Sequence, residues 1–353
     1  MANSYRSPLL DLPGAVPGEP PDEGVALHYG DPFAEQRRLE SWVGYVDLSH
    51  REVVRVSGPD RLSWLHSLTT QHLTELPPGQ ATEALVLSPH GHIEHALYLV
   101  DDGEATWMHV EPGTAADLVS FLDKMRFMLR VEVADVTAEW AIIWEPVREP
   151  VPGRLTRVTD HGRDVFLPRG ELAEYGRTHE HPAGMWAYEA LRIARHQPRL
   201  RFETDHRTIP HEAGWLDRAV HLDKGCYRGQ ETVARVHFRG RPPRRLVFLH
   251  LDGSVETLPP HGAPVEYEGR QVGFVTSSAR QPGGHRSGLR RDGLRATPGA
   301  RHRACSVCGR SAAREVTPAH RRGAGVRPGE PRTASYTSRI SVTGPSFTRE
   351  TSM

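Results

Sequence analysis

The residue types best suited to chemistry lie in one run, Lys224-Gly225-Cys226-Tyr227-Arg228-Gly229-Gln230-Glu231. A thiolate attacks electrophiles, ligates metals and oxidises, and neighbouring cations favour that form of a cysteine. Lys224 and Arg228 flank Cys226 at two residues on either side. Gly225 and Gly229 permit a tight or left-handed backbone that exposes the side chain between them. The competing expectation is a buried, inert thiol, the commoner fate of a free cysteine. The polar flanks argue against it.

Two other groupings offer less. His90, His92 and His95 would need a bend to converge, because on a strand His90 and His92 share a face that His95 opposes. Cys305 and Cys308 have the spacing of half a zinc or cluster site, without a second pair. No metal site is predicted. No glycine-rich nucleotide loop stands between a strand and a helix.

The elements that position these residues read as α+β. Arg51 to Ser57 alternates around Val53, Val54 and Val56, as a half-buried strand does. Asp60 can cap a helix with Leu62, Leu65 and Leu68 along one stripe. Strands are expected over 82–88, 93–100 and 105–110, joined by the turns Pro89-His90-Gly91 and Asp101-Asp102-Gly103. A helix with Leu118, Phe121, Leu122, Met125 and Met128 follows, then a looser repeat of strands and helices, including a helix over 185–195. From Arg245, short strands punctuated by Gly and Pro resemble the start of a small β-barrel. That barrel is expected to break off after Arg280. Residues 281–353 show no apolar period and read either as a basic disordered tail or as out-of-frame translation of a GC-rich gene.

The run from Lys224 to Arg235, with Arg239-Gly240 after it, resembles the signature of the YgfZ family of folate-binding proteins. Those proteins are relatives of the glycine-cleavage T-protein, an aminomethyltransferase, and are linked to iron–sulphur cluster assembly or repair. The resemblance extends over roughly residues 25 to 280. It includes Val56-Ser57-Gly58-Pro59-Asp60, Trp64-Leu65, Leu68-Thr69-Thr70, Leu191-Arg192-Ile193 and Ile209-Pro210-His211-Glu212. It implies a T-protein-like arrangement of three domains: a folate-binding body over 25–240 in two subdomains, and a truncated β-barrel over 241–280. A disordered leader over 1–24 precedes them, and the basic tail over 281–353 follows.

The resemblance also implies a ligand, tetrahydrofolate or a derivative, with contacts from Trp186, Tyr188, Glu189, Gln230 and Glu231. A flat pterin needs an aromatic or apolar wall and a few polar groups. Cys226, with Lys224 and Arg228 tuning it, would serve iron–sulphur client or assembly proteins, and through them cluster enzymes such as tRNA-modifying ones. It would act as a transient ligand, a redox thiol or a one-carbon acceptor. The chain also departs from the T-protein pattern. Where T-proteins carry a pair of aspartates in a hairpin, this chain has His95 and Ala96, with Glu94 one position away; Ala194 stands where a carboxylate is expected, and Arg51 where the YgfZ family has a second tryptophan. Without a placed acid or base, general acid–base catalysis is hard to supply. The expectation is a folate-binding accessory protein; the alternative is a folate-dependent aminomethyltransferase.

Composition bounds the remaining classes. The 353 residues carry zero net charge, but residues after 280 hold 14 Arg against 4 acids, leaving −10 on the rest. An acidic body is poorly suited to nucleic acid, whose affinity comes largely from phosphate contacts. No run of 18 apolar residues exists to span a membrane. Three cysteines and a leader without an apolar core suit a reducing, cytoplasmic compartment.

Overall fold

The computed structural model describes residues 5–251, 257–267, 270–280, 303–310 and 340–342. The first sheet runs in the order Ala81–Leu87, Ile93–Asp101, Ala105–Val110, Glu52–Ser57, Glu132–Asp135, with every neighbour antiparallel. All six residues of Ala105–Val110 are buried, so both faces of this sheet are covered. One face takes the helices Arg61–Leu68 and Ala115–Met125: Trp64, Leu65, Leu118 and Leu122 pack on Val54, Leu99 and Met108. The other face turns to a second sheet.

That second sheet is ordered Thr156–Thr159, Gly162–Pro168, Trp140–Glu145, Tyr45–Asp47, Pro182–Ala183. Its strands are antiparallel except for the last pair, which is parallel. Val53, Val100 and Trp107 of the first sheet share one core with Ile142, Trp144 and Phe166 of the second. The helix Met185–Ala194 closes that core with Met185, Ala187 and Leu191.

The N-terminal segment corrects the expectation of a disordered leader. From residue 5 onward it is packed. Leu9 is buried against Tyr45, Ile143 and Leu167. Ser7 Oγ donates to Asp47 at 2.5 Å. Asp22 is buried against Arg199 and His50. A Pro- and Gly-rich composition lowers average hydrophobicity, but a few placed side chains suffice to hold a segment against a core formed by others.

The third sheet is ordered Arg244–Leu251, Arg303–Arg310, Arg270–Arg280, Pro264–Tyr267, Ile340–Val342. The expected break after Arg280 is therefore not the end of the sheet. Arg303–Arg310 pairs on both sides, with Arg244–Leu251 and with Arg270–Arg280. A strand held between two neighbours by backbone bonds does not need an apolar period to be seated. The rest of the expected tail, 281–302, 311–339 and 343–353, lies outside the described residues.

Candidate functional site: a cavity between two sheets

Strand alternation builds a cavity of about 180 Å³ where the first two sheets meet. Tyr98 and His109 stand directly opposite each other on neighbouring strands of the first sheet. Their rings stack at 4.9 Å. In the second sheet Asp164 pairs with Trp144 on one side and Arg157 on the other. Residues opposite one another across antiparallel strands share a face, so all five project towards the gap. Tyr188 and Arg192 from the helix Met185–Ala194, and Arg195 and Arg199 from the segment after it, close the cavity.

The lining is strongly polar, with six arginines against three acids. Arg157 Nη1 donates to Asp164 at 2.8 Å, and Asp164 also accepts from His109 Nε2 at 3.1 Å. Burial raises the Asp164 carboxyl, but His109 and Arg157 outweigh it and hold the group well below the usual carboxylate range. His109 is pushed down, by burial first. It is therefore neutral, with Nε2–H turned to Asp164. Its Nδ1 accepts from Arg51 Nη1 at 3.4 Å, so both nitrogens are engaged. Arg51 also pairs with Glu111 at 3.2 Å, and its guanidinium lies 5.5 Å from the Tyr98 ring centre and 5.8 Å from that of Tyr188. Burial opposes ionisation of Glu111, but Arg199 and Arg51 pull it below its ordinary value.

Arg199 ties the cavity to the rest of the molecule. It is 1% exposed and gives Nη2 and Nη1 to Asp22 at 2.5 and 2.8 Å and Nε to Glu111 at 2.7 Å. Removing one partner of such a buried cluster typically costs about 3–5 kcal/mol, because the other charge is left unpaired. Two donors in lining residues stay without partners: the buried Nε–H groups of Arg51 and Arg218. The cavity thus presents aromatic walls and guanidinium groups to a small ligand. It offers no free acid or base within its inner wall.

The sequence-predicted residues divide among three places. Tyr188 lines this cavity. Trp186 and Glu189 line a separate cleft of about 480 Å³ between the N-terminal segment, the same helix and the third sheet. Glu189 is held there by Arg192 and Arg199. A helix turns about 100° per residue, so Trp186, Tyr188 and Glu189 cannot all face one site. Gln230 and Glu231 lie elsewhere, on the helix Gln230–Arg239. Gln230 accepts from the Tyr227 backbone N–H at 3.2 Å, and Glu231 pairs with Arg235 at the surface.

Cys226 is a free, exposed thiol. Lys224 and Arg228, expected to tune it, direct their polar heads to other partners. Lys224 Nζ is buried and donates to the carbonyls of His66, Thr69 and Gln71, the last two at 2.5 and 3.0 Å. Burial pushes its pKa down to about 8. Arg228 Nη1 donates to Glu94 at 2.9 Å. Gly229 has φ +80°, and a Cβ there would stand 2.4 Å from the Ser88 carbonyl oxygen. The motif is thus a clamp: Lys224 caps the end of the helix Arg61–Leu68, Arg228 and Gly229 grip the hairpin around Gly91, and Cys226 projects between these anchors. His95 is 8% exposed, and burial pushes its pKa down to about 4. Among the described residues no group of His, Cys, Asp and Glu is arranged to hold a metal.

Sequence reasoning missed Tyr98, His109, Arg157, Asp164 and Arg199. Alternation marks which residues share a face of a strand, but not which two sheets face each other.

Residues 31–144 match the family model of the GCVT N-terminal domain. Over that stretch the chain is similar to the GCVT domain. The matched span supplies Arg51, Tyr98, His109 and Trp144 to the cavity. Among relatives, a putative chloroplastic transferase of Arabidopsis thaliana is 26% identical over 307 residues, covering 76% of this chain and 69% of the relative. The aminomethyltransferase of Rubrobacter xylanophilus is 28% identical over 296 residues, covering 73% and 78%. The crystal structure of aminomethyltransferase T of the glycine cleavage system from Bartonella henselae superposes with a TM-score of 0.70 at 17% identity, over 87% of this chain and 90% of that one. The chain therefore has the T-protein fold. No helix among the described residues is long and apolar enough to cross a membrane.

Proposed function

We propose that this chain binds a reduced folate, with the flat head group in the cavity between the first two sheets, and works on one-carbon units as its aminomethyltransferase relatives do by name. One observation carries this: in a T-protein fold, the cavity is walled by Tyr98, Trp144 and Tyr188 and lined by six arginines. A volume of about 180 Å³ falls short of the roughly 300 Å³ at which pockets begin to enclose a whole drug-sized ligand. The head fits, and the remainder extends outward. Bound tetrahydrofolate would supply nitrogens that carry or accept a one-carbon unit. The chain would supply orientation: rings to sandwich the head, and Arg51 and Arg157 held rigidly by Glu111 and Asp164.

The inner wall lacks a free proton carrier, since Asp164 and Glu111 are pinned by arginines and both nitrogens of His109 are engaged. Proton transfer would fall to the substrate, to water or to His161 and Asp160, which line the cavity away from that wall. Equilibrium binding of tetrahydrofolate to the protein and to Tyr188→Ala tests the binding reading; no binding by the wild type defeats it. Methylene transfer from an aminomethyl donor to tetrahydrofolate tests the transferase reading, and absence of turnover with intact binding defeats that part alone.

A second reading, support of iron–sulphur proteins through Cys226, is favoured by one feature: a free thiol exposed on a loop anchored at both ends. One cysteine supplies one of the four ligands a cluster usually has, so a client would bring the others. Cells carrying Cys226→Ser should then lose cluster-enzyme activity; full activity rejects this reading.

A further inference from the structure

The strands Thr156–Thr159 and Gly162–Pro168 are joined by the two-residue turn Asp160-His161, with Thr159 opposite Gly162. The turn is tied from both sides. Thr159 Oγ1 donates to the Gly162 carbonyl at 2.9 Å and accepts from the His161 N–H at 3.2 Å. Arg195 Nη1 donates to the His161 carbonyl at 3.1 Å. Gly162 has φ +147°, and a Cβ there would stand 2.7 Å from the Trp144 ring. The turn is therefore seated on an indole that walls the cavity, and both its residues join the lining.

The backbone of His161 is thus fixed while its ring is free. The residue is half-buried, and neither ring nitrogen has a hydrogen-bond partner among the described residues. Most other titratable groups of the lining are engaged or too weakly acidic. Glu83 pairs with Arg157 and Arg218, and Asp164 with Arg157 and His109. Burial raises the hydroxyls of Tyr98 and Tyr188. Asp160 faces bulk water. Burial pushes the His161 imidazole below its ordinary value, and Arg195, Arg218 and Arg148 add to this against Asp160. The ring is therefore neutral at pH 7 and has a lone pair with which to take a proton.

Resting on the transferase part of the folate reading, we propose that His161 is the catalytic proton carrier of this cavity, presented by a rigid turn in place of a carboxylate on the inner wall. Each new C–N bond to tetrahydrofolate releases an N–H proton. Each bond broken at the methylene carbon leaves its electron pair on the departing group, which takes a proton. His161 receives the released proton on its free ring nitrogen and returns it to the departing amine. The carbon keeps its oxidation level, so no oxidant or reductant enters.

The test is steady-state methylene transfer from an aminomethyl donor to tetrahydrofolate, followed over roughly pH 5 to pH 9 in the wild type and His161→Gln. The variant should lose at least about a hundredfold in kcat while it binds tetrahydrofolate within about threefold of the wild-type affinity. The wild-type rate should fall on acidification through an imidazole pKa below the ordinary value near 6.5, because protonation removes the base. His161→Gln should lack that acid limb, and added imidazole should restore part of its rate. A merely structural role would instead change binding or urea unfolding and leave the limb in place. A variant with near-wild-type kcat, or with the acid limb intact, overturns the assignment and leaves the transferase reading standing. Absence of turnover by the wild type overturns both, and tetrahydrofolate binding then decides the binding reading by itself.

Discussion

His95 makes the sharpest test of how this interior is held. It is nearly buried on the strand Ile93–Asp101, and its Nδ1 has no partner. Burial pushes its pKa down to about 4, helped by Arg201 and Arg228 and opposed by Asp117. In the unfolded chain an imidazole titrates near 6.5. As pH falls below 6.5, protons bind the unfolded chain and not the folded one, so stability present at pH 7 is lost progressively towards pH 4. At pH 5 the unfolded imidazole is protonated and the folded one is still neutral. The gap of about 1.5 pH units, at 1.36 kcal/mol each, gives a loss of about 2 kcal/mol from this one group. His95→Gln keeps similar size and polarity but does not titrate. Urea unfolding at pH 7 and pH 5 should show the wild type losing about 2 kcal/mol more than the variant across that interval. Other lowered histidines, His109 and His161 among them, contribute equally to both proteins and cancel. Parallel losses in the two proteins would refute the assignment of a buried, neutral His95.

Gly229→Ala should destabilise by roughly 2–4 kcal/mol in urea unfolding, since a left-handed backbone and a clash with the Ser88 carbonyl are both imposed; a change under about 0.5 kcal/mol would contradict the clamp. Asp22→Asn should cost about 3 kcal/mol, because Arg199 loses the carboxylate that takes two of its N–H groups and keeps only Glu111 and Glu189, and removing residues 1–24 should cost no less. A neutral truncation would restore the view of that segment as a loose leader. Cys226→Ser should change stability by under about 0.5 kcal/mol, because the side chain is exposed. Native thiol titration should register one fast-reacting group fewer in the variant than in the wild type.

Much of this protein was legible in its sequence. The alternation of Glu52–Ser57 and the runs at 81–87, 93–101 and 105–110 marked the first sheet, because strand periodicity is a local signal. The motif around Cys226 marked a constrained loop with an exposed thiol, and glycine at 229 marked a backbone that other residues do not adopt. Tyr188, which the resemblance makes an expected ligand contact, stands on the helix Met185–Ala194 in the cavity lining. Other assignments needed the tertiary structure. The charges of Lys224 and Arg228 lie beside Cys226 along the chain, yet they are spent on the carbonyls ending one helix and on Glu94, because a side chain's partner is set by what packs against it. Trp186 and Tyr188 are two residues apart, but helical rotation sends them into different cavities. The N-terminal segment was judged by its average composition, while its position rests on single contacts of Ser7, Leu9 and Asp22. The cavity itself, from Tyr98 and His109 to Asp164, Arg157 and Arg199, exists only where two sheets from distant stretches of chain meet. Local pattern fixes which residues share a face. Only the packing of one face against another decides which charges neutralise each other.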